Sequence, residues 1–327
     1  MAAAADQAER GVRVSEHHSG EELPPAAESR LAEIRRSGTW GSALSADEFT
    51  AIKGVGFEPV GQVLGAAVYN VGYTGGWACP GAWAGYGGFA SPYQSVTAVS
   101  GSGSMGSFSP MVQTLYQARH KAIGRMSEEC AELGGHGVVG VSLTIGTFPA
   151  GGLEFKAIGT AVRAPGGVPL RQPFTSDLSG QDFAKLIMAG WAPAGLALGI
   201  SIGARHDDWL TVNQTRWGSG NSEVHGYTDL VNQARHDARS QLDQDVTRIG
   251  AGGVVVKSMD MRIRERECPM QEHRRDHIAE VTIIGTAIVQ FSRSRPASDG
   301  SLAILSLDPQ RRQAARVKLG ADRAPNP

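Results

Sequence analysis

The sequence lacks three features that would have narrowed its function at once. It has no apolar run of about 18 residues, the length that a helix needs to cross a bilayer. Its three cysteines, Cys79, Cys130 and Cys268, show no C-x-x-C spacing. It also lacks an excess of either charge, since 31 basic and 32 acidic residues give a net charge of −1. These absences argue against a membrane span, a disulfide framework and electrostatic attraction to nucleic acid or acidic membranes.

The first residues carry acidic side chains and no apolar segment, which is not typical of a secretory signal peptide. An odd number of scattered cysteines fits a reducing compartment. We therefore expect a soluble, cytoplasmic protein.

Repetition is the main feature that the sequence does have. Residues 44–65 and 178–199 align without a gap, 134 positions apart, and 8 of the 22 aligned residues are identical. Further matches follow in the same order: QARH recurs 116 positions later, as does a Gly-Val-Val segment, and IGTA recurs 126 positions later. Matches that keep their order through a whole segment indicate two copies of one domain.

Each copy shows the same pattern of predicted elements. Ser45 and Ser179 stand where a short helix begins, with an acidic residue three positions on. A strand and then a long helix follow, and apolar residues recur every three or four positions through 111–133 and 227–249. Two strands rich in Val, Ile and Thr end each copy. The prediction is an α+β fold: two similar two-layer domains, each an antiparallel sheet covered by one long helix plus a short N-terminal helix.

The composition along the chain sets the predicted boundaries. Polar ends flank the two copies, and a segment rich in Pro and Gly separates them. The predicted parts are a disordered segment at 1–40, domain 1 at 41–163 with an insert at 70–109, a linker at 164–177, domain 2 at 178–293 with a charged hairpin at 262–280, and a tail at 294–327.

The order of short motifs resembles the YbjQ-type "putative heavy-metal-binding" domain family. The matching residues in copy 1 are Ala118-Arg119, Leu133-Gly134, Val138-Val139-Gly140 and Gly159-Thr160-Ala161-Val162. Those in copy 2 are Ala234-Arg235, Ile249-Gly250, Val254-Val255 and Gly285-Thr286-Ala287-Ile288. The resemblance implies a dodecin-like domain that assembles into rings, commonly pentamers, with no established catalytic activity. The chain departs from the family where A-R-E becomes A-R-H, and where the L-G-A-D turn changes in both copies.

A candidate metal site lies in the charged hairpin. Cys268, His273 and His277 supply ligand types that suit a transition-metal ion such as zinc. Their spacing matches no compact structural-zinc pattern, and Arg274 and Arg275 bring positive charge beside any ion. The alternative is a solvated, charged hairpin without a ligand.

Two further features remain open. Arg119-His120 and Arg235-His236 recur at one point of the long helix, either as an interface or anion-binding pair or as surface side chains. The insert at 70–109 combines many glycines with seven aromatic residues, which suits an adhesive loop or a flexible surface loop. No nucleophile–base grouping appears in both copies.

These observations favour a non-enzymatic, oligomer-forming tandem-domain protein that binds a metal ion or small ligand. The alternatives are a dodecin-like binder of a flavin-type molecule and an enzyme with an unrecognised site. The chain itself is the expected partner. Because five is odd, two-domain chains build either stacked five-fold rings or a ring with an even number of domains.

Overall fold

The computed structural model describes residues 23–70, 97–100, 108–164, 166, 172–216, 220–268 and 275–291. The predicted α+β fold class is confirmed, because each half of the chain forms an antiparallel sheet covered by one long helix and preceded by a short helix. We call residues 25–163 the first half and residues 174–290 the second half.

The short helix, the strand after it, the long helix and the two final strands follow the same order in both halves. The first half contains α1 (Pro25–Ser37), α2 (Ala46–Gly54), β1 (Glu58–Tyr69), β2 (Thr97–Val99), α3 (Ser109–Glu132), β3 (Gly137–Phe148) and β4 (Gly152–Arg163), with a 3-10 turn between the last two. The second half contains β5 (Phe174–Thr175), α4 (Gly180–Met188), β6 (Trp191–His206), α5 (Trp209–Gln214), α6 (His225–Ile249), β7 (Gly253–Glu267) and β8 (Arg275–Gln290).

Local chemistry explains where the helices begin and end. The Ser45 hydroxyl accepts a hydrogen bond from the Glu48 N–H at 3.3 Å, and the Glu48 carboxylate accepts one from the Ser45 N–H at 2.8 Å. The Ser179 hydroxyl likewise accepts from the Asp182 N–H at 3.2 Å. Gly250 ends α6 with a φ of 75°, a left-handed conformation that costs glycine little. The predicted starts of both short helices and this helix end are confirmed.

The two sheets exchange short strands. The first sheet has the order β1-β4-β3-β5 and the second has the order β2-β6-β8-β7. The strand β2 comes from the first half but pairs with β6, and β5 comes from the second half but pairs in parallel with β3. These exchanges tie the halves together, and the sequence did not predict them.

The two middle strands of the second sheet, β6 and β8, are covered on both faces. Ala197 and Ile283 pack in one apolar cluster with α6, whereas Ile200 and Ile202 pack with side chains of the first half. At Gly199 the backbone of α6 approaches so closely that an added Cβ would overlap the Ala238 carbonyl oxygen. Glycine is therefore required at this position to let the long helix lie flat on its sheet.

The expectation of disorder over residues 1–40 does not hold at its C-terminal end. The helix α1 lies against α3, where the Arg30 guanidinium pairs with the Glu129 carboxylate and Leu31 is buried. Arg35 Nη2 also donates to Glu132 Oε2 at 2.6 Å. Residues 1–22 lie outside the described residues. No described helix is long and apolar enough to cross a membrane.

Candidate functional site: the junction between the halves

The segment before each short helix adopts the same local structure in both halves. In the first half, Ser42 Oγ lies 3.2 Å from Thr160 Oγ1, which also accepts the Ala43 N–H at 3.0 Å. In the second half, Ser176 Oγ lies 3.1 Å from Thr286 Oγ1, which accepts the Asp177 N–H at 3.1 Å. We call residues 40–44 the first lead segment and residues 174–178 the second lead segment. Each one is fastened to the last strand of its own half.

Only the second lead segment has an additional role. It runs along the edge of β3, with Phe174 beside Gly137 and Thr175 beside Val138. The Ser176 N–H donates to the Val138 carbonyl oxygen at 2.9 Å, and the Val141 N–H donates to the Ser176 carbonyl oxygen at 2.9 Å. The edge of the first sheet is thereby paired by a segment that belongs to the second half. We call this contact, with the side chains around it, the junction.

An apolar cluster fills the junction. Phe174 and Phe183 stack with ring centroids 5.9 Å apart, and Phe57 meets the Phe183 ring edge-on at 5.0 Å. Ile52 and Val139 of the first half complete the cluster and are fully buried. Because side chains of both halves exclude water together, the junction is a continuous core and not a loose surface contact.

Polar groups at the rim of the junction are also paired, one of them across the junction and the others within the second half. Glu48 Oε1 accepts the Gly180 N–H at 3.2 Å, and hydrogen bonding, first of all from the Ser45 backbone, lowers the Glu48 pKa. Burial raises the pKa of Asp177, whose carboxylate accepts a hydrogen bond from Thr286 at 2.5 Å. Lys257 Nζ donates to the Asp177 carbonyl oxygen at 2.8 Å. The Glu48–Gly180 hydrogen bond joins the halves, and the contacts of Asp177 hold the second lead segment to its own half.

Two buried residues of the junction have exposed counterparts at the equivalent positions of the other half. Trp40 corresponds to Phe174 and is 39% exposed, against 7% for Phe174. Val255 corresponds to Val139 and is 36% exposed, against 0% for Val139. Each half therefore carries both surfaces of a junction, a lead segment and a strand edge. Within the chain, the junction uses the strand edge of the first half and the lead segment of the second half.

The repeated basic pairs lie in different environments. Arg119 is buried and its guanidinium lies 5.6 Å from the centroid of the Phe155 ring, whereas Arg235, His120 and His236 are exposed. Burial lowers the pKa of Arg119 to about 10. Arg119 is therefore a packing residue of the first half, while Arg235 and His236 remain on the open side of α6.

This difference predicts unequal effects of the same substitution. We expect Arg119→Ala to lower the free energy of unfolding by about 2 kcal/mol, because it removes buried contacts and leaves a space. Arg235→Ala at the equivalent exposed position should change that free energy by less than about 0.5 kcal/mol. Urea unfolding of both variants measures the difference, and equal losses would contradict the environments described.

The structure places Cys268 and His277, two of the three predicted metal ligands, in different surroundings. Cys268 is buried with His206 and Asp276, and the ligand atoms of these three residues lie within 4.8 Å of one another. His277 instead places Nδ1 3.0 Å from Asp207 Oδ1, and its ring lies 4.3 Å from that of Tyr227. His273 lies outside the described residues.

The pleat of β8 explains this separation, because adjacent residues point to opposite faces of a sheet. Asp276 and His277 are adjacent, so Asp276 joins His206 and Cys268 on one face while His277 meets Asp207 on the other. Sequence reasoning missed His206, Asp207 and Asp276. The signal was present in the repeated His-Asp and Asp-His order at 206–207 and 276–277.

The group around Asp276 is internally bonded. His206 Nδ1 lies 2.8 Å from Asp276 Oδ1, and Arg266 Nη2 donates to Asp276 Oδ2 at 3.3 Å. The Asp276 carboxylate is thus held by both neighbours, and the arginine supplies positive charge to it. This arrangement is a buried polar network that fastens the β7–β8 hairpin to the end of β6.

Most of the aromatic insert at 70–109 lies outside the described residues. Its described part includes β2 and Ser100, whose hydroxyl donates to Asp237 Oδ2 at 2.9 Å and accepts the Ile202 N–H at 3.2 Å. This part of the insert therefore joins the second half.

Comparison with known proteins shows two kinds of similarity. A family model named for YbjQ and described as "Putative heavy-metal-binding" matches residues 89–165. The chain is 34% identical over 241 residues to the encapsulin nanocompartment protein Rv1762c of Mycobacterium tuberculosis, which covers 71% of this chain and 81% of that protein. It is also 42% identical over 60 residues to a UPF0145 protein of Clostridium perfringens, covering 18% of this chain and 54% of that protein.

The longer similarity corrects the predicted function. The sequence suggested a family member that binds a metal ion or small ligand. The relative that matches most of both chains is instead a nanocompartment protein. The ligand-binding prediction was wrong because it rested on a domain label that matches 89–165 alone.

Proposed function

Because this chain belongs to the same family as the encapsulin nanocompartment protein Rv1762c, we propose that it is a self-associating structural component of such a compartment. The observation that carries this proposal is the similarity over 81% of that protein, which includes far more than one shared domain. The proposed role is architectural and non-catalytic, and we place it in the cytoplasm.

We also propose that the two halves are copies of one domain, at 41–163 and 178–293. The matching lead segments support this, since Ser42 with Thr160 and Ser176 with Thr286 make the same hydrogen bonds. The glycines at 65 and 199 provide further support, because each lies against the backbone of its own long helix. Two copies in one chain double the number of surfaces available for association.

Exposed apolar side chains provide the physical basis for association. Val256 and Met259 on β7, Val68 on β1 and Phe148 on β3 are between 42% and 50% exposed. Covering exposed apolar side chains by association is favourable, since it removes apolar surface from water. The strand β7 is also the last strand of its sheet, so its outer backbone groups are available for pairing.

We propose that the assembly is a ring with an even number of domains. The exchanged strands β2 and β5 place both halves side by side in one body, as neighbours in a ring would be. Five-fold rings would require the two halves of one chain to lie in two separate rings. Three or more chains in one closed ring therefore fit the structure better than stacked pentamers.

The tail at 294–327 adds a candidate contact for other compartment proteins. Its sequence places Leu302, Ile304, Leu305 and Leu307 together between polar and charged residues. A short apolar segment in a polar tail is a common form of docking peptide. We propose that this segment attaches the chain to other proteins of the compartment, and that self-association does not depend on it.

Mass photometry of the purified full-length chain tests the proposal. We expect assemblies of three or more chains, and a chain that remains at its monomer mass of 34.4 kDa at all concentrations would contradict it. A variant that ends at residue 293 should still assemble by itself. When co-expressed with an encapsulin shell protein, the full-length chain should sediment with the particles and this shorter variant should not.

A further inference from the structure

We infer that the junction is repeated between chains: the first lead segment of one copy pairs with the open edge of β7 in a second copy. This inference rests on the proposed self-association and names the surfaces that carry it. The occupant of both open faces is a second copy of this chain, since the two faces complement each other and both lie on the same molecule.

The junction joins two different surfaces, a lead segment and a strand edge. The first lead segment and the edge of β7 are therefore not used within the chain. Within the chain, a lead segment of the second half covers the β3 edge of the first half. The corresponding edge of β7 begins at Gly253, which pairs with Ile288 as Gly137 pairs with Val162. Head-to-tail contacts of this kind continue from one copy to the next and form a ring where the rotation between copies closes.

The first lead segment already has the shape that the junction requires. Trp40 and Phe49 stack with centroids 6.2 Å apart at an interplanar angle of 17°. Phe174 and Phe183 stack in the junction at 5.9 Å and 13°. The aromatic pair is therefore preformed on the open side, which reduces the ordering cost of association.

The opposite face offers the matching receptor. Leu186, Val255 and Ile288 occupy the positions of Ile52, Val139 and Val162, which receive Phe174 and Phe183 in the junction. Trp191 stands in the position of Phe57, whose ring meets Phe183 edge-on. The receptor is apolar at every one of these positions, as the cluster in the junction is.

The backbone register follows from the pairing already seen. Phe174 lies beside Gly137 and Thr175 beside Val138, in parallel. The same offsets place Trp40 beside Gly253 and Gly41 beside Val254 of the second copy. The outer edge of β7 then gains the backbone hydrogen bonds that the second lead segment gives to β3.

A second pair of surfaces agrees with this direction. Ile202 is 1% exposed because the first half covers its side of the second sheet, whereas the corresponding Val68 is 50% exposed. In the repeated junction, the open side of α6, which includes Arg235 and His236, lies over Val68 of the next copy. The same arrangement therefore covers Trp40 and Val68 of one copy and Val255 of the other.

Two single-face variants test the inference. Trp40→Asp removes the inserted aromatic ring and Val255→Asp places a charge in the receptor. Each should raise the dissociation constant of the contact by at least about 100-fold, so each variant alone should be monomeric. Mixed in equal amounts, they should form a species of two chains and stop there, because each retains one intact face. Mass photometry and sedimentation velocity distinguish these species.

Matched controls keep the result specific. Ile263→Asp alters another exposed side chain of β7, at 51%, whose counterpart Thr147 is also exposed, so it should leave assembly unchanged. Trp40→Ala provides a milder variant, and circular dichroism confirms folding. If both aspartate variants still assemble, or if their mixture forms no dimer, the inference is overturned. An assembled wild type would still uphold the proposed function in that case. A monomeric wild type would overturn both.

Discussion

Replacing Asp276 with alanine is expected to lower the free energy of unfolding by about 3–5 kcal/mol, the largest single effect that the structure predicts. Asp276 is 1% exposed and accepts hydrogen bonds from His206 and Arg266. Its removal takes the acceptor from two donors, of which His206 is buried. The loss of both contacts, and not the loss of side-chain volume, makes the substitution costly.

The conservative variant and a surface control isolate this effect. Asp276→Asn keeps an acceptor oxygen for His206, so it should retain part of the stability that alanine loses. Glu265→Ala removes an exposed partner of Arg275 on the same hairpin, and exposed ion pairs contribute little. Chemical unfolding should place the three variants in the order Glu265→Ala, Asp276→Asn, Asp276→Ala, from most to least stable. Equal stability of the first and last would show that the network is not structural.

Replacing Gly199 with alanine is expected to lower the free energy of unfolding by about 3 kcal/mol, at the upper end of overpacking effects. The added Cβ would overlap the Ala238 carbonyl oxygen and lie 3.0 Å from the Leu242 Cβ. Backbone cannot rotate away as a flexible side chain can, so α6 would have to shift away from the sheet. Such a shift would open the apolar cluster beneath the helix.

Gly65 and Gly252 provide the comparison for this substitution. An added Cβ at Gly65 would overlap the Ala122 carbonyl oxygen, so Gly65→Ala should lose a similar amount. A Cβ at Gly252 would meet no atom within 4 Å, so Gly252→Ala should be nearly neutral. Thermal unfolding of the three variants measures the difference. A stable Gly199→Ala variant would mean that the helix lies farther from the sheet than described.

The sequence could predict the fold of each half because the signals are local. The hydroxyl of Ser45 with Glu48 three residues on, and Gly250 after a long apolar period, reflect contacts within a few residues. The exchange of β2 and β5 could not be predicted in the same way. These strands have only three and two residues, and their pairing depends on how the two halves meet.

The full extent of the N-terminal helix could not be predicted for a related reason. Its sequence is polar, and one face of it is ordered by Arg30 and Leu31 against α3. A short helix with little apolar surface gains most of its stability from packing, which its own sequence does not show.

The candidate sites illustrate how environment decides the role of a residue. Arg119 and Arg235 stand in the same QARH motif, yet Arg119 is buried and Arg235 is exposed. Cys268 and His277 are near in sequence, but the pleat directs His277 to Asp207 and away from the network around Asp276. No sequence motif marks the junction, because it consists of ordinary apolar residues. Their role is recognised only when their exposures are compared with those of their counterparts in the other half.

The mass distribution of an equimolar mixture of Trp40→Asp and Val255→Asp chains tests the central claim most directly. A directional junction that repeats between copies predicts that each variant alone is monomeric, that the mixture contains two-chain species, and that the wild type forms larger assemblies. Wild-type assemblies that persist in both variants would contradict the claim that these two faces build the assembly.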